Sequence, residues 1–171
     1  MIARALRFIL SIPKNAWFFI IWAIFFIAFQ QYKAISQEPF GMHQGAQADR
    51  ASIAYNFYKK NGNPLEPRVM EIISSDGVCG TEFPLVSYPV SLLYRAFGYH
   101  AFWHRFIVFI ILSLGAFLAW LFTSIFIQKL LWRVVHMVLW SATPILSFYG
   151  VSVLPDAAAL GFTLMAWYFF M

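Results

Sequence analysis

Three stretches of this chain, Asn15 to Tyr32, Phe106 to Gln128 and Val134 to Pro155, contain no Asp, Glu, Lys or Arg. A hydrocarbon layer about 30 Å thick is crossed by about 20 helical residues, and each stretch approaches or exceeds that length. With 61% hydrophobic and 20% aromatic residues, the chain falls in the membrane class and not among soluble cores. A fourth apolar window opens at Ala157 and is still apolar at Met171. The expectation is an incomplete fourth span, the whole being the N-terminal part, 1–171, of one longer transmembrane module.

Charge orients these spans. Arg4, Arg7 and Lys14 precede the first, and Lys129 and Arg133 sit between the second and third. By the positive-inside rule both ends are cytoplasmic. Six of the seven acidic residues fall between Glu38 and Glu82, so the carboxylates gather in an extracytoplasmic loop from about 33 to 105. The fold expected is an all-α integral membrane protein, a polytopic helix bundle whose long first loop carries interfacial amphipathic helices. Spans are expected at about 15–32, 106–128, 134–155 and 157–171, with Trp17 and Trp22 suited to the headgroup boundary and upper core of the first. The cell (inner) membrane follows as its location.

The net charge of +5 does not indicate nucleic acid, because the basic residues are scattered and form no face interleaved with aromatics. A signal peptide fits the N-terminus less well than a span, since Gln30-Gln31-Tyr32-Lys33 lacks a small-x-small cleavage pattern. Cys79, the lone cysteine, has no partner for an internal disulfide and no metal-ligand spacing around it.

Within the loop, Ala48 to Lys60 reads as an amphipathic helix stopped by Asn61-Gly62-Asn63-Pro64. Asp49 then falls in its first turn. Leu65 to Gly80 is broken by Pro67, Asp76-Gly77 and Gly80, with a short strand around Val69 to Ile73. Thr81 to Gly98 is apolar apart from a stripe of Ser87, Ser91 and Arg95. Pro89 there must sit in a first helical turn or kink the helix, with Ser87 as the candidate cap, and the segment should lie along the interface. Residues 1 to 14 suit an interfacial helix through Leu6, Ile9 and Leu10.

Four pieces taken together resemble the polyprenyl-phosphate-dependent glycosyltransferases of the GT-C class, and within it bacterial members similar to protein O-mannosyltransferases and lipid A aminoarabinose transferases. They are HQGAQADRASIAYNFY (43 to 58), GTEFPLVSYPVSLLYRAFG (80 to 98), Arg105 at the head of the second span, and VLPDAAALGF (153 to 162). The resemblance implies transfer of a sugar from a polyprenyl-phosphate donor to an unidentified acceptor hydroxyl on the outer face, with inversion. The family's general base falls on Asp49. Many relatives carry a second acid beside it, where this chain has Arg50. Glu82 falls near a site that reads His-Pro-Pro or Lys-Pro-Pro in relatives.

Such transfer needs a carboxylate to accept the acceptor's proton and a cation to stabilise the departing phosphate. His43, Arg50 and Arg105 are the candidate phosphate partners, Arg by a bidentate fork. Tyr55 and Tyr88 could line a sugar or prenyl groove, and Glu82 and Asp156 complete the substrate-binding set. No metal-ligand set is legible; a divalent metal is left open. The lipid bilayer and the lipid-linked sugar are the partners expected.

Each residue also has a structural reading. Asp49 in a first turn would complement the helix dipole, Asp156 and Glu82 would cap helices, and Arg105 would snorkel to headgroups. The alternative for the whole chain is a non-catalytic membrane transporter or scaffold whose amphipathic loop docks other helices.

Overall fold

The structure, a computed structural model, describes residues 12–60, 62–70, 77–80 and 82–170. The expected helix through Leu6, Ile9 and Leu10 lies outside them, as do residues 71–73 of the expected strand. Eight helices are described: α1 (Ala16–Ala28), α2 (Gln31–Ala34), α3 (Gln44–Lys60), α4 (Ser87–Phe97), α5 (Phe102–Phe126), α6 (Leu130–Ser141), α7 (Pro144–Tyr149) and α8 (Pro155–Phe170). The fold is helical as expected. Where a strand was anticipated, the described residues hold an isolated antiparallel bridge between Arg68 and Val78, with Val69 N donating to Gly77 O at 3.0 Å.

Among the described residues one helix, α5, is long and apolar enough to cross a membrane; at 1.5 Å per residue its 25 residues extend about 38 Å. The first and third charge-free stretches are not single helices. α1 has 13 residues and ends where Gln30 turns through the left-handed region at φ 53°. Just beyond, Gln31 Nε2 donates to Leu146 O at 3.2 Å and Ser147 O at 3.3 Å, fixing the turn against a distant main chain. The third stretch breaks between α6 and α7, where Thr143 is extended, as the residue before a proline is biased to be.

The core lies where α1, α5, α6 and α8 meet. α1 buries Phe18, Ile21, Trp22 and Phe25, the i, i+3, i+4, i+7 face of a helix. Trp22 is therefore a core residue, 6% exposed: it stacks on Phe25, Phe109 and Trp140 and its Nε1 donates to Ser113 Oγ at 2.9 Å. The opposite side of α1, with Phe19, Ile24 and Ile27, is exposed yet equally apolar.

α5 and α8 make the most extensive helix pairing, and two glycines permit it. A Cβ on Gly161 would stand 2.6 Å from Ile111 O, and one on Gly115 would collide with the Gly161 main chain. This close approach brings the start of α8, with Asp156, beside the upper part of α5. α3 packs on α4 through Ala54, Val90 and Tyr94, all nearly inaccessible. The Ser87–Ser91 stripe faces inward as well, and Arg95 Nη2 donates to Phe57 O at 2.7 Å. Ser87 is the first residue of α4 and not its cap; Val86 holds the cap position without a side-chain bond. Of the two places open to Pro89, the structure has the first turn.

Candidate functional site

The candidate site is built from three segments far apart in sequence. α3 supplies Arg50 and Ile53, the approach to α4 supplies Glu82 to Ser87, and the start of α8 supplies Pro155, Asp156, Ala158 and Ala159. They enclose an apolar cavity of about 400 Å³ that also meets His104 of α5. A wider depression of about 460 Å³ adjoins it, lined by His43, Ala46, Ile145 and Tyr149. Arg50, Glu82 and Asp156 border both. The arrangement is an apolar pocket with a charged rim.

Arg50 and Glu82 form an ion pair at that rim, with 23% and 58% of their side chains exposed. Glu82 thus engages α3 instead of capping α4, which begins five residues later. Arg50 Nε is buried and has no hydrogen-bond partner among the described residues, so the guanidinium keeps a donor for a further acceptor. Asp156 lies in the first turn of α8 and is exposed. Its carboxylate complements the helix dipole and faces the cavity system as well.

Asp49 is placed differently from expectation. α3 begins at Gln44, one turn earlier than the amphipathic pattern indicates, because His43 makes the turn at φ 58°. Gln47 Nε2 then ties the helix start to Phe40 O at 2.9 Å and Met42 O at 3.1 Å. Asp49 therefore stands beyond the first turn, which weakens the dipole account of it. It is half-buried but lines neither the apolar cavity nor the wider depression.

The tyrosines are set apart from this cavity too. Tyr55 packs edge-on against Tyr58 and Tyr99, and Lys59 Nζ lies 5.7 Å from its ring centre. Tyr88 packs against Phe57 at 5.7 Å. Burial raises the Tyr94 hydroxyl well above its ordinary range. Tyr99 is pushed up to about 12 by burial and by Glu38, whose carboxylate also accepts its hydroxyl.

Arg105 is not a snorkelling anchor. It is 2% exposed and donates to Gln37 O (2.8 Å), Val151 O (2.8 Å), Glu38 O (3.0 Å) and Gln47 Oε1 (3.2 Å). One guanidinium thus ties the loop after α2, the start of α3 and the turn before α8 to α5. It positions the walls of the site from behind.

His104 is not among the candidate site residues that the sequence offers. It is 2% exposed, and its Nδ1 has no partner among the described residues. His104 follows His100 by four positions, and that spacing alone makes no convincing metal site, so only the packing identifies it. Among the described residues no group of three or more His, Cys, Asp or Glu is placed to hold a metal ion.

No family model matches the chain, and no curated protein or solved structure is similar enough to match it.

Proposed function

We propose that this chain forms the lipid-facing part of a membrane glycosyltransferase that moves a sugar from polyprenyl phosphate to an acceptor hydroxyl at the extracytoplasmic surface. The observation that carries this reading is the convergence of residues 43–53, 82–87 and 153–162 on an apolar cavity and the depression adjoining it, with Arg50, Glu82 and Asp156 on the rim of both. Those are the segments whose sequence resembles the GT-C class. Beside the cavity stands α5, the helix able to cross a membrane, so an amphiphile could reach it from the bilayer. In this reading α1, α6 and α8 also lie in the membrane, consistent with the exposed Ile24, Leu139 and Phe169 on their outer faces, and the N-terminus is cytoplasmic.

In the reaction the acceptor oxygen bonds to the anomeric carbon while the bond from that carbon to the phosphate oxygen breaks. The phosphate departs with the electron pair, and the acceptor proton passes to a carboxylate. Arg50, with its unused Nε donor, is suited to the departing phosphate. Two carboxylates compete for the proton. Resemblance assigns it to Asp49; the cavity geometry favours Asp156, which borders both hollows.

The deciding experiment measures sugar transfer from a polyprenyl-phosphate donor by full-length protein carrying Asp49→Asn or Asp156→Asn. Loss of transfer by about 10²-fold or more in one variant, with normal membrane insertion, identifies the base. Full activity in both would remove the carboxylate mechanism. Failure of every polyprenyl-phosphate sugar to bind would favour a transporter or scaffold.

A further inference from the structure

His104 and Arg105 are neighbours on α5, yet they line different cavities. Arg105 borders a second hollow, of about 300 Å³, between α2, the start of α3 and α7. Three features of it are unusual. The guanidinium is buried, but every acceptor it meets is a neutral carbonyl or amide oxygen, with no carboxylate in ion-pair range among the described residues. The Glu38 carboxylate acts on it electrostatically from beyond ion-pair range, and a buried cation without a directly paired counter-charge is costly. The Glu38 carboxylate, the nearest acid by sequence to its acceptors, is engaged by Tyr99.

The second feature is Gln31. Its side chain is 1% exposed, its Nε2 is committed to Leu146 O and Ser147 O, and its Oε1 has no partner among the described residues. That oxygen lacks a donor. The third is Lys33, an exposed ammonium on the same wall, while no acidic residue lines the hollow among the described residues. Four of the five guanidinium N–H donors of Arg105 are engaged, leaving one at Nη1.

We propose that this hollow binds a phosphate that carries free hydroxyls, a phosphoglycerol-type head group, with the anion against Arg105 and Lys33 and a hydroxyl donating to Gln31 Oε1. The chemistry supplies a direct ion-pair partner for Arg105 and the missing donor for Gln31 together. Gln31 and Lys33 directly follow the apolar helix α1, so the head group of an anionic lipid would meet them at the membrane surface. A soluble glycerol phosphate offers the same groups. The site is separate from the Arg50 cavity, and it stands or falls independently of sugar transfer.

The test uses the chain in nanodiscs of phosphatidylcholine, with and without phosphatidylglycerol, and in a third arm with soluble glycerol 1-phosphate. Retained lipid is counted by native mass spectrometry and affinity is read from the shift in thermal midpoint. Phosphatidylglycerol should be retained over phosphatidylcholine, and Lys33→Gln and Gln31→Met should each weaken it about tenfold. Lys33 is exposed, so its variant keeps the fold; the unliganded midpoint of Gln31→Met reports on its own folding. Binding of glycerol 1-phosphate alone, with the same loss in both variants, assigns the site to a soluble ligand of the proposed chemistry. Equal retention of both lipids without any response to glycerol 1-phosphate overturns the proposal, as does binding that Lys33→Gln leaves unchanged.

Discussion

The Arg50 guanidinium on α3 is ion-paired with the Glu82 carboxylate on the segment leading into α4, and the pair closes one side of a cavity whose other side is Asp156. Partly exposed pairs of this kind contribute little to stability, about 0–1 kcal/mol. If the pair serves a ligand, binding and folding should separate. Arg50→Ala is expected to lower the thermal midpoint only slightly while weakening binding of a prenyl phosphate by about tenfold or more. Isothermal titration beside a melting curve checks this; parallel losses would reduce Arg50 to a structural role.

Arg105 should behave in the opposite way. Removing a buried guanidinium that joins three segments leaves several main-chain carbonyls without donors, and Arg105→Gln is expected to destabilise by about 3–5 kcal/mol. Arg105→Lys should rescue little, because an ammonium cannot reproduce the planar fork. Denaturant titration of both variants in detergent is the measurement, and a near-native Lys variant would count against the tie described here.

The α5–α8 contact predicts an asymmetry among glycines. Gly161→Ala places a methyl 2.6 Å from Ile111 O and is expected to cost about 1–3 kcal/mol. Gly115→Ala meets main chain and should cost a similar amount. Gly45→Ala, at a helical position with open space around it, should stabilise by up to about 1 kcal/mol. Comparing the three midpoints tests whether the close approach of helices is the cause.

The tyrosine cluster gives the fold an alkaline limit. Tyr99 is pushed up to about 12 by burial and by Glu38, and Tyr94 is raised by burial, against an ordinary value of about 10. A group whose pKa is higher folded than unfolded stabilises below the unfolded value and loses that contribution as pH rises toward the folded one. Stability should therefore fall between about pH 10 and pH 12, and less so in Tyr99→Phe. Unfolding midpoints followed across that window, with phenolate absorbance alongside, provide the check.

Much of the local structure was legible from residue pattern. Pro89 falls in a first turn, the stretch 48–60 is helical, and the charge-free stretch from Phe106 is helical as far as Phe126 within the membrane-capable helix, because helical periodicity and proline geometry act within one element. The site was legible in part. His43, Arg50, Glu82 and Asp156 come together, whereas Asp49, Tyr55 and Tyr88 stand outside that cavity, and the spacing of His104 gave no convincing signal.

The sequence alone determined that these stretches are helical and which of them avoid charge, since both depend on neighbours a few positions apart. Tertiary structure decided where two of those stretches break and which acids reach the cavity. Those outcomes depend on contacts between distant residues: Gln31 to Leu146 at the end of α1, Gln47 at the start of α3, Arg105 across four segments, and the glycine contact that carries Asp156 to the rim. A periodicity of 3.6 assigns a residue to a face of its helix; only packing decides what that face meets.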